Sequence, residues 1–411
     1  MKLEAGIRIA ILVLASGICA PAWTTGRQFD DTQAGDRAPS SEILPVEIYD
    51  NLVFMNVRIN GSAPHSFLLD TGANTSIVNE SLAQSLSLGS PRTFEGNVGT
   101  GEAATRFGTA SHVILSLGDV TLPKATMLIA ELAPLEVRIG HEIAGIVGAD
   151  VFKRFIVAID YRAKTVVLSN PKTFSYQGPG EVLAIRIVGD RPFLKARITP
   201  IGGDALATDL VVDTGDTSAL GFHTPFVMKH NLRASTPTLP HLSKGLTGDS
   251  RNWRGRVRSL QLGGIVIDRP LATFSEAIRG SEADSKYDGL VGGEILRRFR
   301  IIFNYPGRVM IVEPNSNFFD PYDVDMSGLL LSGGGADFRS VMVDGIDAGS
   351  AAAEAGIKVG DVIETIDSQN TASMTPDEVR QIFKRDGAKL TLEVRRGTVV
   401  THLTMLLHRL I

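Results

Sequence analysis

Asp-Thr-Gly occurs twice in this chain, each time at the end of an apolar run: Phe67-Leu68-Leu69-Asp70-Thr71-Gly72-Ala73 and Leu210-Val211-Val212-Asp213-Thr214-Gly215-Asp216. Each run reads as a buried strand that delivers its aspartate into a tight turn. Glycine at the third position lets two backbones approach closely. A carboxylate at the buried end of a strand is costly unless something pairs with it. Two such ends meeting face to face resolve that cost, because two carboxylates sharing one proton make an acid and a base in one site. The stretch downstream of each triplet is duplicated too. Ile146-Val147-Gly148-Ala149-Asp150-Val151-Phe152-Lys153-Arg154-Phe155 runs parallel to Leu290-Val291-Gly292-Gly293-Glu294-Ile295-Leu296-Arg297-Arg298-Phe299, and Gly148 and Gly292 stand equally far beyond Asp70 and Asp213 to within one residue. Thr100-Gly101-Glu102 with Gly108 mirrors Thr247-Gly248-Asp249 with Gly255, which fits the tips of matching hairpins. A repeat at this spacing makes the chain a tandem of two similar lobes.

In these residues, over about positions 45 to 315, the chain resembles the pepsin/retropepsin-type aspartic proteases in their two-lobed, single-chain form. The resemblance implies a mostly β fold with two homologous acid-protease-type β-barrel lobes in tandem. It implies that Asp70 and Asp213 are catalytic and hold a water between them, one carboxylate drawing a proton from it while the other donates to the scissile carbonyl. It further implies that Thr71 and Thr214 brace the two loops against each other, that Gly72 and Gly215 permit their close approach, and that the segments ending at Gly148 and Gly292 cross behind them. Val98-Gly99-Thr100-Gly101 resembles the tip of the substrate-binding flap, with Val98 where pepsin-like enzymes carry tyrosine; Thr247 and Gly248 are its mirror. The substrate implied is a peptide or unfolded protein, with no metal and no cofactor. The eight histidines show no close paired spacing, and no Gly-x-Ser-x-Gly elbow supports a serine hydrolase.

The two loops differ. Ala73 follows the first triplet, as in retropepsins, and Asp216 follows the second, where the family prefers Ser, Thr or Ala. The second loop also reads as one residue shorter. A loop misplaced by ~1 Å can cost on the order of a hundredfold in rate, so a non-catalytic peptide-binding scaffold is the alternative to a secreted endopeptidase. Asp216 either raises the working pH of the dyad as a like charge or caps its own turn. Arg254, Arg256 and Arg258 alternate on the strand leaving the second hairpin. They read either as a cationic subsite for acidic substrate residues or, preferably, as a solvated strand face.

Ahead of the lobes, Lys2 and Arg8 precede an apolar stretch from Ile9 to Ala20, and Ala20-Pro21-Ala22 offers a small-x-small cleavage site. Residues 1–22 therefore read as a secretory signal, too short for a comfortable span, and the setting as periplasmic or secreted, with no membrane attachment once the signal is removed. Cys19 is the only cysteine, so cleavage after Ala22 leaves neither disulfide nor thiol nucleophile. Residues 23–42 read as a polar linker, 43–172 as lobe one, 178–315 as lobe two and 321–411 as a separate domain. A net charge of −4 implies no polyanion partner and no nucleic acid.

From Ser327 to about Arg396 the chain resembles a bacterial PDZ domain, carried by Ala348-Gly349-Ser350-Ala351-Ala352-Ala353-Glu354-Ala355-Gly356 and Gly360-Asp361-Val362-Ile363. Thr375-Pro376-Asp377-Glu378 is a capping box with proline at the first helical position, and Leu390, Leu392 and Val394 alternate as a final strand. Such a domain takes an extended peptide as an added strand. Gly328-Leu329-Leu330-Leu331 stands where the resemblance places the terminal carboxylate loop, departing from Gly-Leu-Gly-Phe. The domain either binds a peptide ligand there or packs on lobe two as a structural cover.

Overall fold

The computed structural model describes residues 41–89, 94–97, 104–245 and 248–409. The signal and almost all of the linker read at the N-terminus, Cys19, and the hairpin-tip residues Val98, Gly99, Thr100, Gly101 and Thr247 lie outside the described residues.

The chain is mostly β, with two lobes of the same plan and a small α+β domain after them. In lobe one, Ser41–Tyr49, Leu52–Ile59 and His65–Leu69 pair in sequence as antiparallel neighbours. Asn60-Gly61, both at positive φ, turns the second strand toward the third, as this dipeptide does in tight hairpins. His65–Leu69 also pairs in parallel with Gly145–Val147. Lobe two repeats this with Glu181–Val188, Arg191–Thr199 and Leu206–Val212, the last parallel to Gly289–Val291. The apolar runs leading to each aspartate are buried at every position from Phe67 to Leu69 and from Leu210 to Val212. Fully buried strands read as continuous apolar runs rather than alternating ones.

The lobes are fused by a shared sheet. Phe299–Asn304 of lobe two pairs antiparallel with Ile156–Asp160 of lobe one, Ile301 opposite Ile159. Thr165–Ser169 and Ser41–Tyr49 extend it on one side, Val309–Pro314 and Glu181–Val188 on the other. Alternate residues feed two cores: Ile301 and Phe303 face the main one, while Ile302 packs with Ile156, Ala158 and Ile311.

The third domain has its own core around Val343, Ile363, Val379, Phe383 and Leu392. Its sheet runs in the order Leu329–Gly334, Ser340–Ile346, Val362–Ile366, Lys389–Arg396, Val399–Leu406. The Leu390–Val394 segment is therefore not the last strand; Gly397 at positive φ turns the chain into one more. The capping box forms as read, Thr375 and Glu378 exchanging side-chain and backbone bonds at the start of helix Pro376–Ile382. The domain packs on lobe one, where Asp377 N–H donates to the Tyr49 hydroxyl (3.3 Å), and the segment that leads into it is held by lobe two, where Arg256 donates to Tyr322 O (2.8 Å).

Candidate active site

Each aspartate sits where its strand ends against the crossing segment. Asp70 N–H donates to Val147 O and Asp213 N–H to Val291 O, both at 2.9 Å. Gly148 and Gly292 follow directly, and both must be glycine. A Cβ on Gly148 would lie 2.7 Å from the Thr75 backbone, and one on Gly292 2.4 Å from Ser218 O.

The two loops are locked by a reciprocal pair of threonines, both wholly buried. Thr71 N–H donates to Thr214 Oγ1 and Thr214 N–H to Thr71 Oγ1, each at 3.0 Å. The hydroxyls then donate across the interface, Thr71 to Val212 O (2.6 Å) and Thr214 to Leu69 O (2.8 Å). Each bond contributes about 1 kcal/mol net, and leaving its buried partner unsatisfied costs more. This lock sets each carboxyl on the glycine of the other loop. A Cβ on Gly72 would lie 2.6 Å from Asp213 Oδ2, and one on Gly215 2.6 Å from Asp70 Oδ2.

Asp70 and Asp213 thus come together in one buried site, each carboxyl against the glycine of the other loop. Burial pushes Asp70 up to about 7, against the pull of Asp213 and of the Gly72 and Ala73 amides, which donate to its Oδ1 at 2.7 and 3.2 Å. Burial also lifts Asp213 well above the usual carboxylate range, with the charges of Asp70 and Asp216 adding to the rise. Burial and the neighbouring like charge both favour the protonated form, so a buried pair of carboxyls tends to hold a shared proton.

The structure corrects the length of the second loop. Val78 pairs with Gly145 and Phe222 with the equivalent Gly289, so the second loop is one residue longer than the first, not shorter. The extra residue lies after Ser218: Ala149 N–H donates to Ala73 O as Gly293 N–H does to Asp216 O, and Gly148 lies against Thr75 O as Gly292 does against Ser218 O. Asp216 also has a structural reason. In lobe one, Asp150 Oδ2 accepts from Ser76 N–H at 2.6 Å and from Thr75 Oγ1 at 3.3 Å. Its counterpart Glu294 is instead engaged by Asn51, Arg297 and Arg298. The second loop supplies its own cap: Asp216 Oδ1 accepts from Ser218 N–H at 2.7 Å and from the Ser218 hydroxyl. Asp216 therefore caps its turn and also bears on the pair as a like charge, raising both carboxyls.

Asp216→Asn keeps an oxygen for Ser218 and removes only the charge. Both limbs of the pH–rate profile are expected to move toward acid, as lowered carboxyl pKa values require. A profile that stays in place, or moves toward alkali, would leave Asp216 with the turn alone.

Near the hairpin tips, Phe94–Asn97 pairs with Ala104–Leu117, and Thr238–Gly245 with Gly248–Arg256, where Gly245 faces Gly248 across the turn. The three alternating arginines are tied into the fold to different degrees: half-buried Arg254 meets His241 Nε2 at 2.9 Å, half-buried Arg256 donates to Arg269 O and Tyr322 O, and Arg258, which stays exposed, donates to Ile201 O. Unpaired main-chain carbonyls at strand ends and linkers take up the guanidinium donors. Among the described residues, no group of three or more His, Cys, Asp or Glu is placed to hold a metal ion, and no helix is long and apolar enough to cross a membrane.

In the third domain, Gly328 lies at positive φ and its carbonyl accepts from Asp347 N–H at 2.9 Å. Leu329, Leu330 and Leu331 are buried on the sheet's first strand. The Leu331 carbonyl accepts from Arg380 at 3.2 Å. Helix Ala133–Ile139 of lobe one lies against this strand, and its capping Gly140 sits so near that a Cβ would be 2.6 Å from Pro376. Lobe one thus occupies part of the surroundings that strand addition would use. The sequence did not single out Asp50, Asn51, Glu294, Arg298 or Arg380; of these, Asn51 and Glu294 touch the loop after Asp213. Only Glu294 and Arg298 carried a signal, as members of the duplicated segment after Gly292.

Residues 55–151 match the family model described as aspartyl protease, and residues 342–396 match that of the PDZ domain. Among solved structures, the chain is similar to an aspartic proteinase from Irpex lacteus at 15% identity and a TM-score of 0.43, over 68% of this chain and 99% of that one. No curated protein matches the sequence.

Proposed function

We propose that this chain, an aspartyl protease domain joined to a PDZ domain, is an endopeptidase that hydrolyses peptide bonds with water activated between Asp70 and Asp213. One observation carries the reading: two buried carboxyls, one from each lobe, are brought together by a reciprocal threonine lock, each against the glycine of the other loop.

The singly protonated pair supplies both functions the reaction needs. The ionised carboxylate takes a proton from water as the oxygen attacks the scissile carbonyl carbon, and the protonated carboxyl donates to the carbonyl oxygen. The tetrahedral diol then collapses: the C–N bond breaks, the leaving nitrogen takes a proton, and the dyad returns to its starting state. No acyl-enzyme forms. The raised position of Asp70 places this state at weakly acidic to neutral pH, which suits a periplasmic or secreted enzyme whose export rests on Lys2, Arg8 and the apolar stretch from Ile9 to Ala20.

Incubating the full chain with an unfolded protein and a mixed peptide library, from weakly acidic to neutral pH, tests the reading. Internal cleavages mapped by mass spectrometry are expected, insensitive to chelators and thiol reagents. An absence of cleavage throughout that range would favour a peptide-binding scaffold instead.

A further inference from the structure

The tip of the first hairpin in lobe one sits between the second catalytic loop and the PDZ domain. Asp50 and Asn51, both at positive φ (46° and 65°), form the two-residue turn between Tyr49 and Leu52. Such turns match the twist of the strands they join, so the tip is a stiff projection. Asn51 Nδ2 donates to Thr217 O and to Glu294 Oε2, both at 3.1 Å. The Asn51 carbonyl lies 2.7 Å from where a Cβ on Gly293 would stand. Gly293 N–H in turn holds Asp216 O at 2.6 Å. A single side chain from lobe one therefore touches both the loop that carries Asp213 and the helix packed behind it.

The equivalent tip in lobe two, Gly189-Asp190, also has positive φ. An exposed Asp190–Lys153 pair at 2.8 Å joins it to lobe one, a kind of contact that contributes little. The lobe-one tip is instead backed by the PDZ domain. Arg380, on helix Pro376–Ile382, is buried and reaches Asp50 Oδ2 at 3.5 Å, Arg138 O at 3.3 Å and Leu331 O at 3.2 Å. A cavity of about 110 Å³ lies between this helix and the second loop, lined by Asn51, Thr217, Ser218, Arg380 and Lys384 among others. The loop after Asp213 has room to shift into it once the tip is released.

We propose that Arg380 and Asn51 are positioning residues for the dyad: Arg380 fixes the Asp50-Asn51 tip, and Asn51 fixes the Thr217 carbonyl, so that docking of the PDZ domain sets the aim of Asp213. The inference rests on the hydrolytic reading above. Its structural half, the order of the loop from 217 to 222, is measurable without turnover.

The test uses the full chain with Asn51→Ala, Arg380→Ala, Arg380→Lys, the double alanine variant, and Asp190→Ala as the symmetry control. Hydrogen exchange at 217–222 is expected to speed up in both single alanine variants and to stay unchanged in Asp190→Ala. On a peptide that the wild type cleaves, kcat is expected to fall about tenfold with KM nearly unchanged, as for a displaced rather than missing catalytic group. The double variant should fall no further than the worse single one, because both act through one contact chain. Arg380→Lys should recover part of the loss: it keeps a cation for Asp50 but cannot fork to two carbonyls. Unchanged exchange at 217–222 in Arg380→Ala would overturn the inference, as would additive losses in the double variant or an equal loss in Asp190→Ala. If the wild type cleaves nothing, the hydrolytic reading fails and the exchange result alone decides the positioning role. If Arg380→Ala does not fold, Arg380→Lys and Asn51→Ala carry the same comparison.

Discussion

Asp70→Asn and Asp213→Asn are each expected to lower kcat by about a thousandfold or more while leaving the fold intact, and the double variant is expected to be no slower than either single one. Loss of an acid–base group costs on the order of 100- to 10,000-fold, and members of one proton-sharing unit fail together rather than additively. Asparagine retains an oxygen at Oδ1, so the amide bonds from Gly72 and Ala73 at position 70, and from Gly215 at position 213, survive the change. KM should move little, since the threonine lock that shapes the floor of the site does not involve the carboxyls. The measurement is steady-state cleavage of one mapped peptide by the three variants. Activity retained in either single variant would remove that aspartate from the chemistry and point to a different acid–base partner.

The paired lobes are legible because the chain repeats itself. An apolar run, an aspartate and a glycine-ended crossing segment recur at nearly equal spacing, and the physical need behind each element is local. Gly148 and Gly292 must be glycine because backbone lies under 3 Å from any Cβ there, and such a demand leaves a mark in sequence. The loop length is not legible in the same way. Asp213-Thr214-Gly215-Asp216-Thr217-Ser218 aligns by eye with its partner from the near end, whereas strand register counts from the far end. Register is fixed by which side chains a strand buries, here Val78 and Phe222.

The contacts between domains leave no such mark, since they join residues far apart in sequence with no repeating pattern. Arg298 is an example. Wholly buried, it donates to the carbonyls of Asn317, Phe318, Asp320 and Pro321 and stacks on Tyr322, which organises the segment leading to the PDZ domain. Its lobe-one counterpart, Arg154, has no such segment to hold. The shared sheet between lobes is hidden for a related reason. A strand such as Phe299–Asn304 that is buried on both faces shows an apolar run, but nothing in that run says which strand lies beside it. The same absence of local signal conceals why Asp216 must cap, because the need for it arises from the diversion of Glu294 toward Asn51 and two arginines.

Asp70→Asn is also expected to make the protein more stable than the wild type at neutral pH, by on the order of 2–4 kcal/mol, from about 1.4 kcal/mol for each unit of pKa displacement. The sign comes from linkage. Burial raises Asp70 from the ordinary range near 3.8 to about 7 in the folded state, so between those limits the native protein holds a proton that the unfolded chain has released. Stability therefore falls as pH rises through that window. Below it, the carboxyl is protonated in both states and the folded form bears no charge cost. Asparagine has nothing to titrate, so the advantage of the variant should be small at the acid end, grow as pH rises and level off above neutrality. Removing the like charge beside Asp213 adds to the same trend, because Asp70 is one of the groups that raise it. Urea unfolding of wild type and variant across this range measures the difference directly. A variant no more stable than wild type at neutral pH, or one whose advantage is greatest in acid, would mean that the carboxyl pair is ionised in the folded protein and does not share a proton. An inactive protein that outlasts the active one would show that the site holds its two carboxyls together against their own repulsion, and that the threonine lock offsets that cost.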